Sequence, residues 1–205
     1  MAYVLGFFAA DGYITVNKRG GQFWCIQITD EELLIEIKKV IQSEHKISIR
    51  KGKNKKSEFY RLQIGSIEMC DDLRKLGYSE RKTKRLIIPS VPKKYLSFFV
   101  RGYFDGDGNV WVGNAHKKRK KKVITLSTMF TSCSLQFLTE LHTRLSCTDI
   151  LGGSIYKSKK NYSRLQYSLK DSLKLYDFMY NSLGTSKLFL QRKKDVFEKY
   201  KKLRA

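Results

Sequence analysis

The segment VLGFFAADG at 4–12 returns 96 residues later as VRGYFDGDG at 100–108. Sliding the chain by that offset places Gly6 on Gly102, Ala10 on Gly106, Asp11 on Asp107 and Gly12 on Gly108, so small residues and a carboxylate recur together. Farther on, YRLQIGS (60–66) meets SRLQYSL (163–169), and RKLGYS (74–79) meets NSLGTS (181–186). The offset drifts from 96 to 103 to 107, as loop insertions make it drift. Three matches in one order describe a duplicated unit of about a hundred residues, which restricts the architecture before composition is considered.

Hydrophobic period supplies the elements of one unit. A helix is expected over 2–11, strands over 13–17 and 22–28, and a helix with an acidic start over 30–43. A hairpin of HKISIR and EFYRLQI spans the turn-like KGKNKKS, and IEMCDDLRKLG closes the unit as a helix whose Gly77 suits a C-cap. The second half repeats the order: helix 92–106, strands near 109–113 and 122–130, helix 133–146, strands near 154–158 and 162–168, helix 171–183, with a terminal helix at 187–203. The fold class is therefore α+β: pseudo-twofold αββαββα units with antiparallel sheets packed by helices around a central two-helix interface. The repeats are placed at 1–88 and 96–205, joined by a stiff linker at 89–95 that holds the two prolines, Pro89 and Pro92.

Gly6 and Ala10 lie four apart on one helical face, as do Gly102 and Gly106. Small side chains at that spacing let two helix backbones approach closely. If the repeated helices pack along these faces, Asp11 and Asp107 emerge side by side at one end. Lys and Arg number 41 against 19 Asp and Glu, a formal charge of +22 in 205 residues. Such an excess points to a polyanionic partner. Two converging carboxylates beneath a basic surface then suit a divalent cation facing phosphates. With 41 % apolar residues the chain can bury a core. No stretch approaches the about 18 apolar residues of a membrane span, and no secretion signal opens the chain, so an intracellular setting is expected. Cys25, Cys70, Cys133 and Cys147 show no CxxC spacing and lie in apolar periodic segments, which suits reduced, packed thiols.

VLGFFAADG and VRGYFDGDG resemble the paired signature of single-chain LAGLIDADG homing endonucleases, and the αββαββα repeat extends the resemblance over essentially the whole chain. The resemblance implies that the last acid of each motif, Asp11 and Asp107, binds catalytic metal, with Mg²⁺ as cofactor and Mn²⁺ or Ca²⁺ able to substitute in binding. The penultimate acid of the consensus is Asp105 in the second copy but Ala9 in the first, which leaves the metal position intact. ERKT (80–83) and QRKK (191–194) resemble the segments that carry the family's basic residue, which nominates Lys82 and Lys193 as catalytic. The implied activity is cleavage of both strands of a long, nearly palindromic DNA site by a monomer, leaving short 3′ overhangs. The alternative is a non-cleaving nucleic-acid binder on the same scaffold, an intron-RNA maturase or a transcription regulator, for which intron RNA would be a partner. Acids for metal and lysines for charge suffice for hydrolysis, so no histidine is required. A rival nuclease centre from Asp71 and Asp72 with Glu80 to Lys82 would need its acids on adjacent strands rather than on a helix and a loop.

Target reading is expected from the strands. By alternation Ile14, Val16, Trp24, Ile26, Ile28, Tyr60, Leu62 and Ile64 face the core of the first half. Thr15, Asn17, Gln27, Arg61 and Gln63 face outward, where Arg and Gln suit bidentate contacts with guanine and adenine edges. In the second half Trp111, Thr125, Ser127, Met129, Arg164 and Gln166 take the outward places, Trp111 matching Thr15 and Met129 matching Gln27. The lysine-dense loops KGKNKK (51–56), HKKRKKK (116–122, with Lys118, Lys120 and Lys121) and KSKK (157–160) are read as phosphate contacts.

Overall fold

Helix α1, Ala2–Asp11, is apolar all round, and Tyr3, Val4, Phe7, Phe8 and Ala9 are each almost fully buried, as expected of a helix enclosed on every side. A computed structural model describes residues 1–51, 58–80, 82–115, 123–158, 160–181 and 188–204. From α1 the chain continues through β1 (Gly12–Val16), β2 (Gln22–Ile28), α2 (Glu31–Val40), β3 (Ile47–Lys51), β4 (Glu58–Gly65) and α3 (Ile67–Lys75). The second half follows with α4 (Leu96–Asp107), β5 (Gly108–Asn114), β6 (Ile124–Ser132), α5 (Leu135–Ser146), β7 (Ser154–Lys157), β8 (Ser163–Tyr167), α6 (Leu169–Tyr180) and α7 (Gln191–Lys202). Two antiparallel four-stranded sheets result, ordered β1-β2-β4-β3 and β5-β6-β8-β7. Ser66 and Ser134 cap α3 and α5, each hydroxyl accepting a backbone N–H three residues on.

The departures from the sequence expectation sit mainly at ends. The helix expected from 92 begins at Leu96, preceded by a 3-10 turn Lys93–Tyr95 with Pro92 at its N-cap. A second such turn, Lys82–Lys84, follows α3. α6 starts two residues early, at Leu169, and α7 occupies only 191–202. Val16, the last residue of β1, is 48 % exposed rather than part of the core. Cys25 and Cys70 are buried, but Cys133 and Cys147 are exposed, contrary to four packed thiols. Cys133 lies in the β6–α5 turn and Cys147 is the C-cap of α5, so neither reaches the core. Of KGKNKK only Lys51 is described, and 116–122 lies outside the described residues.

α1 and α4 meet backbone to backbone. A Cβ at Gly6 would stand 2.0 Å from the Phe99 carbonyl oxygen, and one at Gly102 would stand 2.1 Å from that of Tyr3. At Gly106 it would meet the Ala10 Cβ at 2.3 Å. Gly12 and Gly108 serve a different purpose: with φ of −79° and −88° they need no special backbone region. The Phe8 and Phe104 rings occupy the space where their side chains would be, and their N–H groups close α1 and α4 on the Phe8 and Phe104 carbonyls. The glycine of each Asp-Gly pair is therefore a packing requirement at the helix exit.

Because the obstacles are backbone atoms that cannot swing aside, Gly6→Ala and Gly102→Ala should each destabilise the fold by about 2–3 kcal/mol. That corresponds to a melting temperature lower by about 5–10 °C for a chain of this size, measured by calorimetry. Unchanged melting would show that the two helices do not touch at these residues.

Candidate metal centre and sheet face

The close approach of α1 and α4 brings their C-termini together, so Asp11 and Asp107 end neighbouring helices at one point. A Cβ on Gly106 would lie only 2.9 Å from an Asp11 carboxylate oxygen, which shows how tightly that carboxylate is held against α4. Both aspartates are exposed, yet helix ends and strand starts crowd them on most sides. This desolvation is the main force raising both carboxyls above the ordinary range; the neighbouring Asp11 charge adds to it at Asp107, which reaches about 6. Lys82 and Lys193 pull both the other way.

The lysines occupy equivalent positions. Lys82, from the turn after α3, donates to the carbonyls of Ala9 (2.7 Å) and Ala10 (3.3 Å) at the end of α1. Lys193, from the first turn of α7, donates to Phe104, Asp105 and Gly108 (each 2.7 Å) and lies 3.4 Å from Gly106 O at the end of α4. Phe8 and Phe104 lie beneath the two ammonium groups. Each lysine thus satisfies carbonyls that a helix end leaves orphaned, and sets a cation at the negative pole of the dipole. Both are buried, and burial lowers each to about 8 against the attraction of the carboxylates. The four groups expected to share a centre are brought to one place.

The donor set suits a hard cation. Among the described residues no three His, Cys, Asp or Glu side chains gather to enclose a metal. A pair of crowded carboxylates with open coordination positions fits Mg²⁺, which keeps several waters and takes phosphate oxygens as further ligands.

On the sheets, alternation holds: Thr15, Gln27, Arg61, Gln63, Trp111, Thr125, Ser127, Met129, Arg164 and Gln166 all lie on the face away from the helices. Asn17 does not belong with them. It lies beyond β1, and its Oδ1 accepts the N–H groups of Arg19 (2.9 Å) and Gly21 (2.8 Å), closing the β1–β2 turn. Register also corrects one equivalence. Arg61 pairs with Gln27 and Arg164 with Thr131, while Gln63 pairs with Cys25 and Gln166 with Met129. Gln27 therefore corresponds to Thr131, and Met129 to Cys25. Further outward residues were missed, among them Tyr13, Asn109 and Thr131, although the same alternation would have found them. Arg61 lies 5.9 Å from the Tyr13 ring centroid with Nη2 3.5 Å from Cys25 Sγ, whereas Arg164 leans on Tyr162. Trp111 is 45 % exposed, its ring lying over Gly113. Lys118, Lys120 and Lys121 lie outside the described residues. Asp71 and Asp72 sit on α3, paired with Arg74 and Lys75, away from any strand pair.

Residues 1–77 match the family model described as LAGLIDADG-like domain. No curated protein matches the chain. Among solved structures, the meganuclease I-AabMI bound to uncleaved DNA is 17 % identical, with a TM-score of 0.61 over 96 % of this chain and 87 % of that one. I-SmaMI bound to cleaved DNA is 17 % identical (TM-score 0.61; 98 % and 87 % covered), and I-WcaI bound to its recognition sequence is 17 % identical (0.61; 95 % and 83 %). Among the described residues no helix is long and apolar enough to cross a membrane.

A carboxyl raised by folding favours the folded state below about pH 4 and loses that contribution as pH climbs to about 6. The lowered lysines cost stability below about 8 and cease to as pH rises toward 10.5. At neutral pH both costs stand. In the presence of a chelator, Asp107→Asn should melt above the parent at pH 7.5, with the gap closing as pH falls from 6 to 4. A variant that melts lower at pH 7.5 would show that the carboxylates are not crowded.

Proposed function

We propose that this chain, whose first repeat is a LAGLIDADG-like domain and whose whole fold is that of the LAGLIDADG meganucleases, is a site-specific DNA endonuclease making a metal-dependent double-strand break at a long, pseudo-palindromic target. The observation that carries the proposal is the convergence of Asp11 and Asp107 at paired helix ends, each end gripped by a buried lysine. Both aspartates immediately precede a first strand, β1 or β5, so the sheets that would lie along the duplex flank the centre. The meganuclease structures named above hold DNA, which supports a duplex as the polyanion that the +22 charge suits.

Asp11 and Asp107 would hold Mg²⁺, which supplies positive charge at the scissile phosphate and makes water a stronger nucleophile. The chain's own residues do the rest. Lys193 has three ammonium hydrogens and three carbonyl oxygens at 2.7 Å, so it acts as a fixed charge beside Asp107 rather than as a proton carrier. Lys82 has two protein acceptors among the described residues, which leaves one N–H able to meet a phosphate oxygen as charge builds there. The sheets would read bases through Arg61 and Gln63 on one side and Arg164 and Gln166 on the other. Their outward neighbours differ, with Thr15 against Trp111 and Gln27 against Thr131, so the two half-sites should be related but unequal. One chain supplies both halves, which suits a monomer; intron homing is the biological setting that this activity serves.

The test is cleavage of a randomised duplex library with Mg²⁺ or with EDTA, followed by sequencing of the cut ends. Asp11→Asn and Asp107→Asn should each lower the cutting rate at least a hundredfold, on the order of the loss seen when a charge-stabilising group is removed, while DNA affinity stays near the parent's. Full cutting by either variant would remove these residues from the centre. Specific binding by the parent with no cutting in Mg²⁺ would favour the non-cleaving binder.

A further inference from the structure

The second repeat carries a buried arginine and a buried aspartate that the first repeat lacks. Arg101 and Asp105, one turn apart on α4, stand where α1 has Leu5 and Ala9. Arg101 is fully buried and Asp105 only 2 % exposed. Both reach the segment that leads into α7. Arg101 Nε donates to Leu188 O (3.1 Å), and Asp105 Oδ2 accepts from Leu190 N (3.0 Å) and from the Tyr3 hydroxyl (2.8 Å). Arg101 Nη1 donates to Met179 O on α6, and the guanidinium lies 5.6 Å from the Tyr3 ring centroid and 5.0 Å from that of Phe98. Leu190 is the N-cap of α7, and Lys193 N donates to Leu190 O (3.0 Å). Side chains of α4 therefore fasten the chain three residues before the lysine that grips the end of α4.

Stability does not explain the pair. Taking two charged side chains out of water costs several kcal/mol per ion, and only a fully satisfied network repays it. Among the described residues Arg101 Nη2, Asp105 Oδ1 and the Tyr180 hydroxyl are buried without a hydrogen-bond partner. The first repeat fills the same places with apolar side chains. Lys82 is delivered by other means: Lys82 N donates to Ser79 O, the Tyr78 hydroxyl to Leu5 O, and Arg74 pairs with Glu80. The two lysines are thus seated by independent devices.

We infer that Arg101 and Asp105 are positioning residues for one of the two half-centres: they hold residues 188–190 against α4 and so set where Lys193 sits beside Asp107, which makes cutting of one DNA strand, and not the other, depend on them. The inference rests on the nuclease reading above.

A duplex target selected from the library, with a different dye on each strand, tests it. Lys193→Met and Lys82→Met should each slow chiefly one strand, and opposite ones. The double variant Arg101→Leu/Asp105→Ala installs the first repeat's own residues, an exchange of a buried pair for apolar groups that folds usually tolerate. It should slow the strand slowed by Lys193→Met about tenfold or more, the usual loss when a supporting partner is removed, leave the other near the parent rate, and accumulate nicked product. Tyr3→Phe, which deletes one hydroxyl and no volume, should slow the same strand to a smaller degree, and it decides the matter if the double variant does not fold. Equal slowing of both strands, no slowing of either, slowing of the Lys82 strand, or Lys193→Met affecting both strands alike would overturn the inference. A parent that cuts neither strand would instead overturn the nuclease reading itself.

Discussion

The contact on which the rest depends is that between the backbones of α1 and α4 at Gly6 and Gly102. Helices this close must lack side chains where they touch, and the same closeness aligns their C-termini. Two negative dipole ends and two carboxylates then share one small region, an arrangement that opposes itself electrostatically. Lys82 and Lys193 offset part of this by capping the exposed carbonyls, but they are buried to do so and lose hydration in turn. At neutral pH burial opposes the charge on Asp11, Asp107, Lys82 and Lys193 alike. Such groups persist when the surrounding fold over-determines them, and they mark places where chemistry rather than stability sets the residue.

The pseudo-twofold axis is followed closely by the backbone and loosely by the side chains. Asp11 and Asp107, Phe8 and Phe104, and Gly12 and Gly108 are equivalent in place, and Lys82 and Lys193 cap equivalent helix ends with different sets of carbonyls. Away from the centre the repeats diverge: Cys25 faces Met129, Thr15 faces Trp111, and the apolar Leu5 and Ala9 face a buried arginine and aspartate. Symmetry is kept where a shared geometry is needed. It is relaxed on the sheets, where the proposed unequal half-sites would call for unequal side chains, and beneath α4, where Arg101 and Asp105 reach the segment entering α7.

Much of this architecture is legible in the sequence because its requirements are local. Glycine or alanine at four-residue spacing, an aspartate and a second glycine recur in one order, and the small residues answer steric demands at the helix contact and the helix exit. Strands β4 and β6 follow from alternation, β2 from a short apolar run, and α2 and α3 from helical period. What could not be read depends on contacts distant along the chain. Lys82 and Lys193 were named through a resemblance; in a chain with 41 basic residues nothing local marks the two that turn inward to cap a helix. Arg101 reads as an ordinary helical surface residue until α6 and residues 188–190 are placed over it. The match of Gln27 with Met129 failed because it places the two repeats 102 residues apart, whereas the register of β6 against β8 places them 104 apart there, eight more than the 96 that aligns Asp11 with Asp107.

The central claim is that the close-packed helix ends create one divalent-cation site shared between Asp11 and Asp107. The most direct measurement is anomalous diffraction from crystals of the protein with its selected duplex and Mn²⁺. The expected result is an anomalous peak within about 2–2.5 Å of carboxylate oxygens from Asp11 and Asp107, in contact with a phosphate. Peaks located elsewhere on the chain, or none near either carboxylate in crystals that hold the duplex, would contradict it.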